Sequence, residues 1–210
     1  PRPIHCHVTS GHGTQTFLEA LCNSCNPAFI QLGQKVGAEK FWEYYQAFGF
    51  SEPTGIDLPG EATDIFFSSD GSMTNADLAV ASFGQNFSIT PIQMLTAAAA
   101  AVNGGKLVQP HVVKQILDSD GNIVQSVGTT VKRQVISEEV SKELCQMLQT
   151  NATIGSGKNG YVAGFRIGGK TGTSEKIADD NASDTGEDTY IASYLGFAPA
   201  DNPEVVMLVY

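Results

Sequence analysis

The segment with the most side chains capable of chemistry runs from Arg166 to Ser174 and reads Arg-Ile-Gly-Gly-Lys-Thr-Gly-Thr-Ser. Its short alternating residues, placed between a turn-forming stretch and a charged loop, predict a β-strand. Three glycines weaken such a strand and usually indicate that another backbone or a ligand lies close to it. Lys170 with Thr171 or Thr173 could hold a carboxylate, while the backbone pairs with an extended peptide. An edge strand whose lysine opposes aggregation explains the same residues equally well.

A second group of side chains that could do chemistry lies near the start of the chain. It comprises Cys6, Cys22 and Cys25 together with His5, His7 and His12. Thiolate and imidazole are ligands that zinc prefers, so the group predicts a metal site. Cys6, His12 and Cys25 are the best candidates for ligands, because a helix could turn Cys22 away. Small buried cysteines beside solvated loop histidines would give the same sequence without any metal.

Composition and charge limit the classes of function. Charged residues make up 16% and hydrophobic residues 41% of the 210 residues, which is typical of a globular protein with a substantial core. The net charge of −10 opposes binding to nucleic acid or to an anionic membrane surface, although a local lysine could still hold an anionic substrate. No run of residues is long and apolar enough to span a membrane. The chain has no initiator methionine and ends at Tyr210 within an apolar run, so we expect it to be part of a longer protein.

Helix signals dominate the first half of the chain. Thr16 with Glu19, and Thr90 with Pro91 and Gln93, have the pattern of helix N-caps. We expect helices from residue 16 to about 23, over 27–35, 38–48 and 76–82, from 91 to about 102, and from 138 to about 151. Helical spacing also places four aromatic residues (Phe41, Tyr44, Tyr45 and Phe48) and Cys145 in the core.

Strand signals dominate the second half. Residues 112–117 and 122–127 flank Asp-Ser-Asp-Gly and predict a hairpin. Residues 190–198 and 204–210 alternate as two further strands, while the acidic segment 175–189 is expected to be a mobile loop. Helices followed by a run of antiparallel strands predict an α+β fold, with an antiparallel sheet packed against helices on one side.

Three stretches, taken together, resemble the transpeptidase domain of class B penicillin-binding proteins, of the Gram-positive division and sporulation-septum type. They are Gly11-His12-Gly13 followed by Asn23-Ser24-Cys25-Asn26-Pro27, then Ser82-Phe83-Gly84-Gln85 with Thr90-Pro91-Ile92-Gln93-Met94, and finally Lys170-Thr171-Gly172-Thr173. The first contains the family's Ser-x-Asn motif at Ser24, and the last its Lys-Thr-Gly motif. Their order and wide spacing match the family over essentially the whole chain. The resemblance implies the fold shared by these proteins and serine β-lactamases, and makes the chain the C-terminal portion of one transpeptidase domain.

The resemblance implies acyl transfer. A serine attacks the D-Ala-D-Ala bond of a peptidoglycan stem peptide, and an amine from a neighbouring stem takes the acyl group; β-lactams imitate this substrate and stall the enzyme. In that chemistry Ser24 belongs to the proton network, Asn26 holds the substrate amide and Lys170 polarises the network. The Thr171-Gly172-Thr173 run binds the substrate carboxylate, and the Thr173 N–H is one of two oxyanion donors.

The family's nucleophile, the serine of a Ser-x-x-Lys motif, has no counterpart in these residues. No serine of the chain is followed by lysine three positions later, and Thr129-x-x-Lys132 lies on the wrong side of Ser-x-Asn. We therefore expect the nucleophile in an upstream segment of a longer protein. It follows that the 210-residue chain alone should form no covalent penicillin adduct.

The resemblance also bears on the cysteines, the partners and the location. Some relatives have one cysteine before Gly-His-Gly and another within Ser-x-Asn, a pattern that admits either a bound metal or a redox-sensitive disulfide between Cys6 and Cys25.

The family resemblance further implies a parent protein anchored in the membrane, with this domain on the extracytoplasmic face. Its partners would be stem peptides, β-lactams and membrane proteins of division or sporulation wall synthesis. Catalysis would require no cofactor.

Two other functions share parts of this pattern. A serine β-lactamase or β-lactam sensor also has a Lys-Thr-Gly strand, and a non-catalytic module could bind stem peptides or division proteins. The Ser82–Met94 stretch and the Gly-His-Gly entry favour the transpeptidase over both.

Overall fold

The computed structural model describes residues 4–62, 72–175 and 190–210, except for the side chain of Glu175. Within them the helices are α1 (Phe17–Cys22), α2 (Asn26–Val36), α3 (Ala38–Ala47), α4 (Asn75–Ala81), α5 (Pro91–Val102) and α6 (Glu138–Ile154). The strands are β1 (Lys106–Gln109), β2 (Gln115–Leu117), β3 (Ile123–Ser126), β4 (Thr130–Gln134), β5 (Gly168–Glu175), β6 (Tyr190–Ala198) and β7 (Val205–Val209). None of the described helices combines the length and the hydrophobicity needed to cross a bilayer.

Capping side chains fix where several helices begin. Thr16 and Thr90 each accept a hydrogen bond from the third helical residue, whose own side chain accepts one in return from the cap backbone. Thr74 and Asp77 form the same reciprocal pair at the start of α4, which the sequence analysis did not identify. Each cap stabilises its helix by about 1 kcal/mol because it satisfies N–H groups that have no partner inside the helix.

The largest sheet is antiparallel and has the order β5-β6-β7. Lys170 lies opposite Leu195 and Thr171 opposite Tyr194, while Leu195 lies opposite Leu208 on the other side. Helices α5 and α6 pack against this sheet. The predicted α+β architecture is therefore confirmed, and β5 lies at an edge of the sheet among the described residues.

The glycines of β5 make room for side chains of β6. A Cβ added at Gly168 would lie 2.2 Å from the Phe197 ring, and one added at Gly169 would lie 2.3 Å from the Tyr194 hydroxyl oxygen. At Gly172 it would lie 2.6 Å from Ser193 Oγ. Side chains of the adjacent strand therefore occupy this space, and at Gly169 the Leu195 carbonyl oxygen would also lie 2.9 Å from an added Cβ. The expectation that a ligand lies close to these glycines remains a prediction.

A small apolar cluster joins the sheet to the helices. Val102 of α5, Cys145 of α6 and Phe197 of β6 are buried together with Ala200. Cys145 is therefore a core residue, as its helical position predicted. The prediction for the aromatic residues of α3 was only partly right, because Tyr45 is buried whereas Tyr44 is 41% exposed.

Two small sheets complete the described structure. Strands β2 and β3 form the predicted hairpin, and β1 pairs with β4 in a second antiparallel ladder that the sequence analysis missed. Residues 176–189, most of the expected acidic loop, lie outside the described residues.

Candidate active site

A cleft of about 1090 Å³ contains the predicted catalytic and substrate-binding residues. The turn between α1 and α2, the end of α4 and the strand β5 form its walls, and the loop around Cys6 closes one side. Its lining includes Ser24, Asn26, Ser82, Phe83, Gln85, Ser156, Lys170, Thr171, Gly172 and Thr173. The structure thus brings together residues that lie almost 150 positions apart in the chain.

The centre of the cleft is a direct contact between the two predicted proton-network residues. Lys170 Nζ donates to Ser24 Oγ at 2.8 Å and to the Thr171 carbonyl oxygen at 2.9 Å. Burial lowers the pKa of Lys170, because the ammonium loses hydration, whereas the nearby Cys22 thiol acts in the opposite direction. Since Ser24 Oγ accepts from lysine, its own hydrogen remains available for a group in the cleft.

The backbone holds Ser24 in an uncommon conformation. Its φ of 48° lies in the left-handed region, which costs a non-glycine residue about 1–3 kcal/mol. The surrounding turn offsets this strain, because the N–H groups of Ser24 and Cys25 donate to carbonyl oxygens of Leu21 and Ala20 at 3.2 and 3.1 Å. Asn26 then begins α2 and lines the cleft. The turn therefore presents Ser24 and Asn26 to the same space.

A buried asparagine at the end of α6 supports the opposite wall. Asn151 is 0% exposed, and its Nδ2 donates to the Gly169 carbonyl oxygen at 2.6 Å. Its Oδ1 accepts from Ser156 Oγ at 3.3 Å, and Ser156 Oγ in turn lies 3.3 Å from the Thr171 hydroxyl. The Ser156 N–H also donates to the Cys22 carbonyl oxygen at 2.8 Å. This loop therefore connects β5 to the turn that carries Ser24.

Sequence analysis did not identify Asn151 or Ser156 as part of the site. Asn151 had only marked the end of a helix, and Ser156 belonged to a loop of small residues. Both positions gain importance from partners that are distant in sequence, so no local pattern could have revealed them.

Gln85 joins the remaining wall to β5. Its Nε2 donates to the Thr173 carbonyl oxygen at 3.1 Å, across 88 positions of sequence. Gln85 ends the Ser82-Phe83-Gly84-Gln85 stretch of the family resemblance, and Asn86 follows it directly. Both residues line the cleft.

The predicted metal ligands also meet. One ligand atom from each of Cys6, His12 and Cys25 lies within 4.8 Å of the other two, and Cys6 Sγ is 3.3 Å from His12 Nδ1. Cys6 and Cys25 are both free thiols. Cys22 lies outside this group, and burial raises the pKa of its thiol.

Comparison with known proteins adds independent information. The family model described as penicillin binding protein transpeptidase domain matches residues 4–210. Stage V sporulation protein D of Bacillus subtilis (strain 168) is 44% identical over 98% of this chain and 31% of that protein. Peptidoglycan D,D-transpeptidase PbpA of Mycolicibacterium smegmatis is 30% identical over 93% of this chain and 38% of that protein. The chain thus spans about a third of the length of these relatives.

Solved structures agree with the family match. A crystal structure of penicillin binding protein 3 from Mycobacterium tuberculosis, complexed with ampicillin, superposes with a TM-score of 0.84 and 27% identity. That match covers 98% of this chain and 46% of the other. The D,D-transpeptidase domain of a peptidoglycan glycosyltransferase from Eggerthella lenta has the same fold, with a TM-score of 0.83 over 98% of this chain and 50% of that chain. Sequence motifs, cleft geometry and both comparisons agree, and the chain belongs to the penicillin-binding protein transpeptidase family.

Proposed function

We propose that this chain is the substrate-binding and proton-transfer part of a serine peptidoglycan D,D-transpeptidase. The observation that carries the proposal is the 2.8 Å contact between Lys170 Nζ and Ser24 Oγ, at a cleft bordered by an edge strand. An ammonium that donates to a hydroxyl makes that hydroxyl a better proton donor and orients its hydrogen toward the cleft. Such a pair suits a reaction in which an amine leaves and another amine attacks.

The proposed reaction has two halves. A serine hydroxyl attacks the carbonyl carbon between the two D-alanines, its proton passes through Ser24 to the departing amine, and the amide bond breaks. The amine of a second stem peptide then attacks the ester carbon, its proton returns through Ser24 to the serine oxygen, and the ester bond breaks to release the serine. Lys170 favours both halves because its positive charge stabilises negative charge that develops beside Ser24.

The edge of β5 would bind the donor peptide. An extended peptide can add to this strand, with Asn26 holding its amide and the hydroxyls of Thr171 and Thr173 holding its carboxylate. In an antiparallel strand the N–H and C=O of one residue point to the same side. Gln85 reaches the Thr173 carbonyl from the side opposite β6, which supports the Thr173 N–H as an oxyanion donor in the cleft.

The nucleophile of this reaction lies, in our proposal, in a segment outside these 210 residues. The absence of any Ser-x-x-Lys from the sequence supports this placement. We also propose that β-lactams bind the same cleft and that the protein works on the extracytoplasmic face of the membrane. There it would act with division or sporulation wall-synthesis proteins.

Fluorescent penicillin labelling of the full-length protein tests the proposal. Ser24→Ala and Lys170→Ala should each lower the acylation rate by at least about 100-fold, the usual contribution of acid–base groups. Lys142→Ala is the matched control, because Lys142 is an exposed lysine on α6, and it should label at the normal rate. Normal labelling of Lys170→Ala would contradict the proposal, and rapid release of the label from the unaltered protein would indicate a β-lactamase instead.

A further inference from the structure

We propose that Cys6, His12 and Cys25 form a binding site for a thiophilic divalent cation, with Zn²⁺ as the expected metal. The bound ion would fix the turn that carries Ser24. The metal site itself stands on the geometry of these three residues. Its effect on catalysis rests on the function proposed above.

The spacing of the three ligand atoms suits a tetrahedral metal. Zinc bonds of about 2.3 Å to sulfur and about 2.0 Å to nitrogen, at tetrahedral angles, place ligand atoms roughly 3.5–3.8 Å apart. Cys6 Sγ and His12 Nδ1 are 3.3 Å apart, and all three ligand atoms lie within 4.8 Å of one another. Only small side-chain shifts are therefore needed for one ion to contact all three.

The donor set selects the metal. Two thiolates and one imidazole are soft or borderline ligands, which favour Zn²⁺ over Mg²⁺ or Ca²⁺. Binding releases the two thiol protons to solvent. Three protein ligands leave the fourth tetrahedral position for a water molecule or another small ligand.

Local backbone structure brings the ligands together. Gly11 and Gly13 have φ values of 73° and 65°, and these left-handed conformations turn the loop so that His12 returns to Cys6. The Gly11 N–H donates to the Val8 carbonyl oxygen at 2.9 Å and closes this turn. The Val8 N–H also donates to Cys6 Sγ at 3.5 Å, the kind of contact that supports a metal-bound thiolate.

The third ligand connects the metal to the candidate active site. Cys25 is 4% exposed and occupies the N-cap position of α2 without making a side-chain capping bond. Its neighbours in sequence are Ser24 and Asn26, which both line the cleft. A metal that joins Cys25 to the loop of Cys6 and His12 would hold the strained Ser24 turn in its contact with Lys170.

A single hydrogen bond explains less of this arrangement. A thiol–imidazole contact accounts for Cys6 and His12, but it gives no reason for the buried Cys25 thiol to lie beside them. A disulfide between Cys6 and Cys25 would consume two of the three ligands, so it excludes the metal.

Cobalt substitution of the full-length protein tests the site. Co²⁺ should give thiolate charge-transfer absorption in the near ultraviolet, together with visible bands typical of tetrahedral coordination. Cys6→Ser should halve the charge-transfer intensity, because one of two thiolates is lost, and His12→Asn should change the visible bands. Cys22→Ser and His111→Asn are the matched controls, since neither residue belongs to the group, and they should leave both signals unchanged.

Three outcomes would overturn the metal site. They are no charge-transfer band in the reduced protein, a band that persists unchanged in Cys6→Ser and His12→Asn, or an isolated protein whose mass shows a Cys6–Cys25 disulfide in the presence of metal. Cys6 and His12 lie on a half-buried loop, so these variants keep the test valid even if Cys25→Ser fails to fold.

Penicillin labelling separates this inference from the proposed function. Removing the metal with a chelator should lower the acylation rate by up to about 100-fold, as misplacement of a catalytic group by about 1 Å can do. Unchanged acylation would refute control of the Ser24 turn by the metal. Cobalt binding combined with normal labelling of Lys170→Ala would leave the metal site standing while the proposed function fails.

Discussion

Replacing Gly33 by alanine should force apart α2 and α4, two helices that border the cleft. Gly33 is the buried residue of α2, where this helix crosses α4. A Cβ added there would lie 1.8 Å from Ser82 Oγ and 2.7 Å from Ser82 Cβ, whereas the nearest backbone atom is 3.9 Å away. The clash is therefore with the side chain of Ser82, the C-cap residue of α4.

The size of the effect follows from these distances. Rotation of Ser82 could move Oγ away, but it would break the hydrogen bond that Oγ donates to the Leu78 carbonyl oxygen at 2.5 Å, a loss of about 1 kcal/mol. Rotation cannot move Cβ, so the helices must separate, and overpacking of this kind costs about 1–3 kcal/mol. Alanine regains about 1 kcal/mol of helix propensity. We therefore expect Gly33→Ala to lower the free energy of unfolding by about 1–3 kcal/mol.

Urea denaturation with a double-mutant cycle measures this effect. Ser82→Gly removes both clashing atoms, so the double variant Gly33→Ala/Ser82→Gly should recover at least about 1 kcal/mol relative to the sum of the single changes. Gly128→Ala is the control, because no atom lies within 4 Å of its added Cβ. A Gly33→Ala protein that is as stable as the original, or more stable, would show that α2 and α4 do not approach as closely as described.

Three further predictions follow from the site. The 210-residue chain alone should gain no mass after penicillin treatment, and a stoichiometric adduct in intact-mass analysis would place the nucleophile inside it. Asn151→Ala should lower the free energy of unfolding by about 2–4 kcal/mol, because two hydrogen bonds are lost and a cavity forms. Gln146→Ala is the control, since Gln146 is exposed on the same helix and its loss should leave the free energy of unfolding unchanged. Equal urea midpoints for the two variants would contradict this prediction. Burial lowers the pKa of Lys170, so penicillin acylation by the full-length protein should decline, as the ammonium loses its proton, at a lower pH than that at which a solvent-exposed lysine titrates. Lys170→Arg should move that decline to higher pH, and an unmoved decline would assign it to another group.

Local chemistry made part of this structure predictable. The N-caps at Thr16 and Thr90 depend on residues three positions away, so the sequence alone predicted where α1 and α5 begin. The hairpin around Asp118 was predictable for the same reason, because its carboxylate binds the N–H groups of Asp120 and Asn122 within the turn.

Long-range features were predictable only through the family resemblance, or not at all. The Lys170–Ser24 contact joins positions 146 residues apart, and only the known order of the motifs suggested it. Strands β1 and β4 are short and separated by the β2–β3 hairpin, so neither showed a clear alternating pattern. Asn151 resembled an ordinary helix end because its partner, the Gly169 carbonyl oxygen, lies in a different element.

The interlocking of β5 with β6 restricts how this cleft can change over generations. An added methyl group at position 168 would collide with the Phe197 ring, so this change requires a smaller residue at position 197 in the same molecule. One at position 169 would collide with both the Tyr194 side chain and the Leu195 carbonyl oxygen, so a smaller residue at position 194 alone would not make room for it. Since we propose that β-lactams bind this cleft, we expect selection for resistance to find single substitutions in the other walls and to change position 168 only together with position 197.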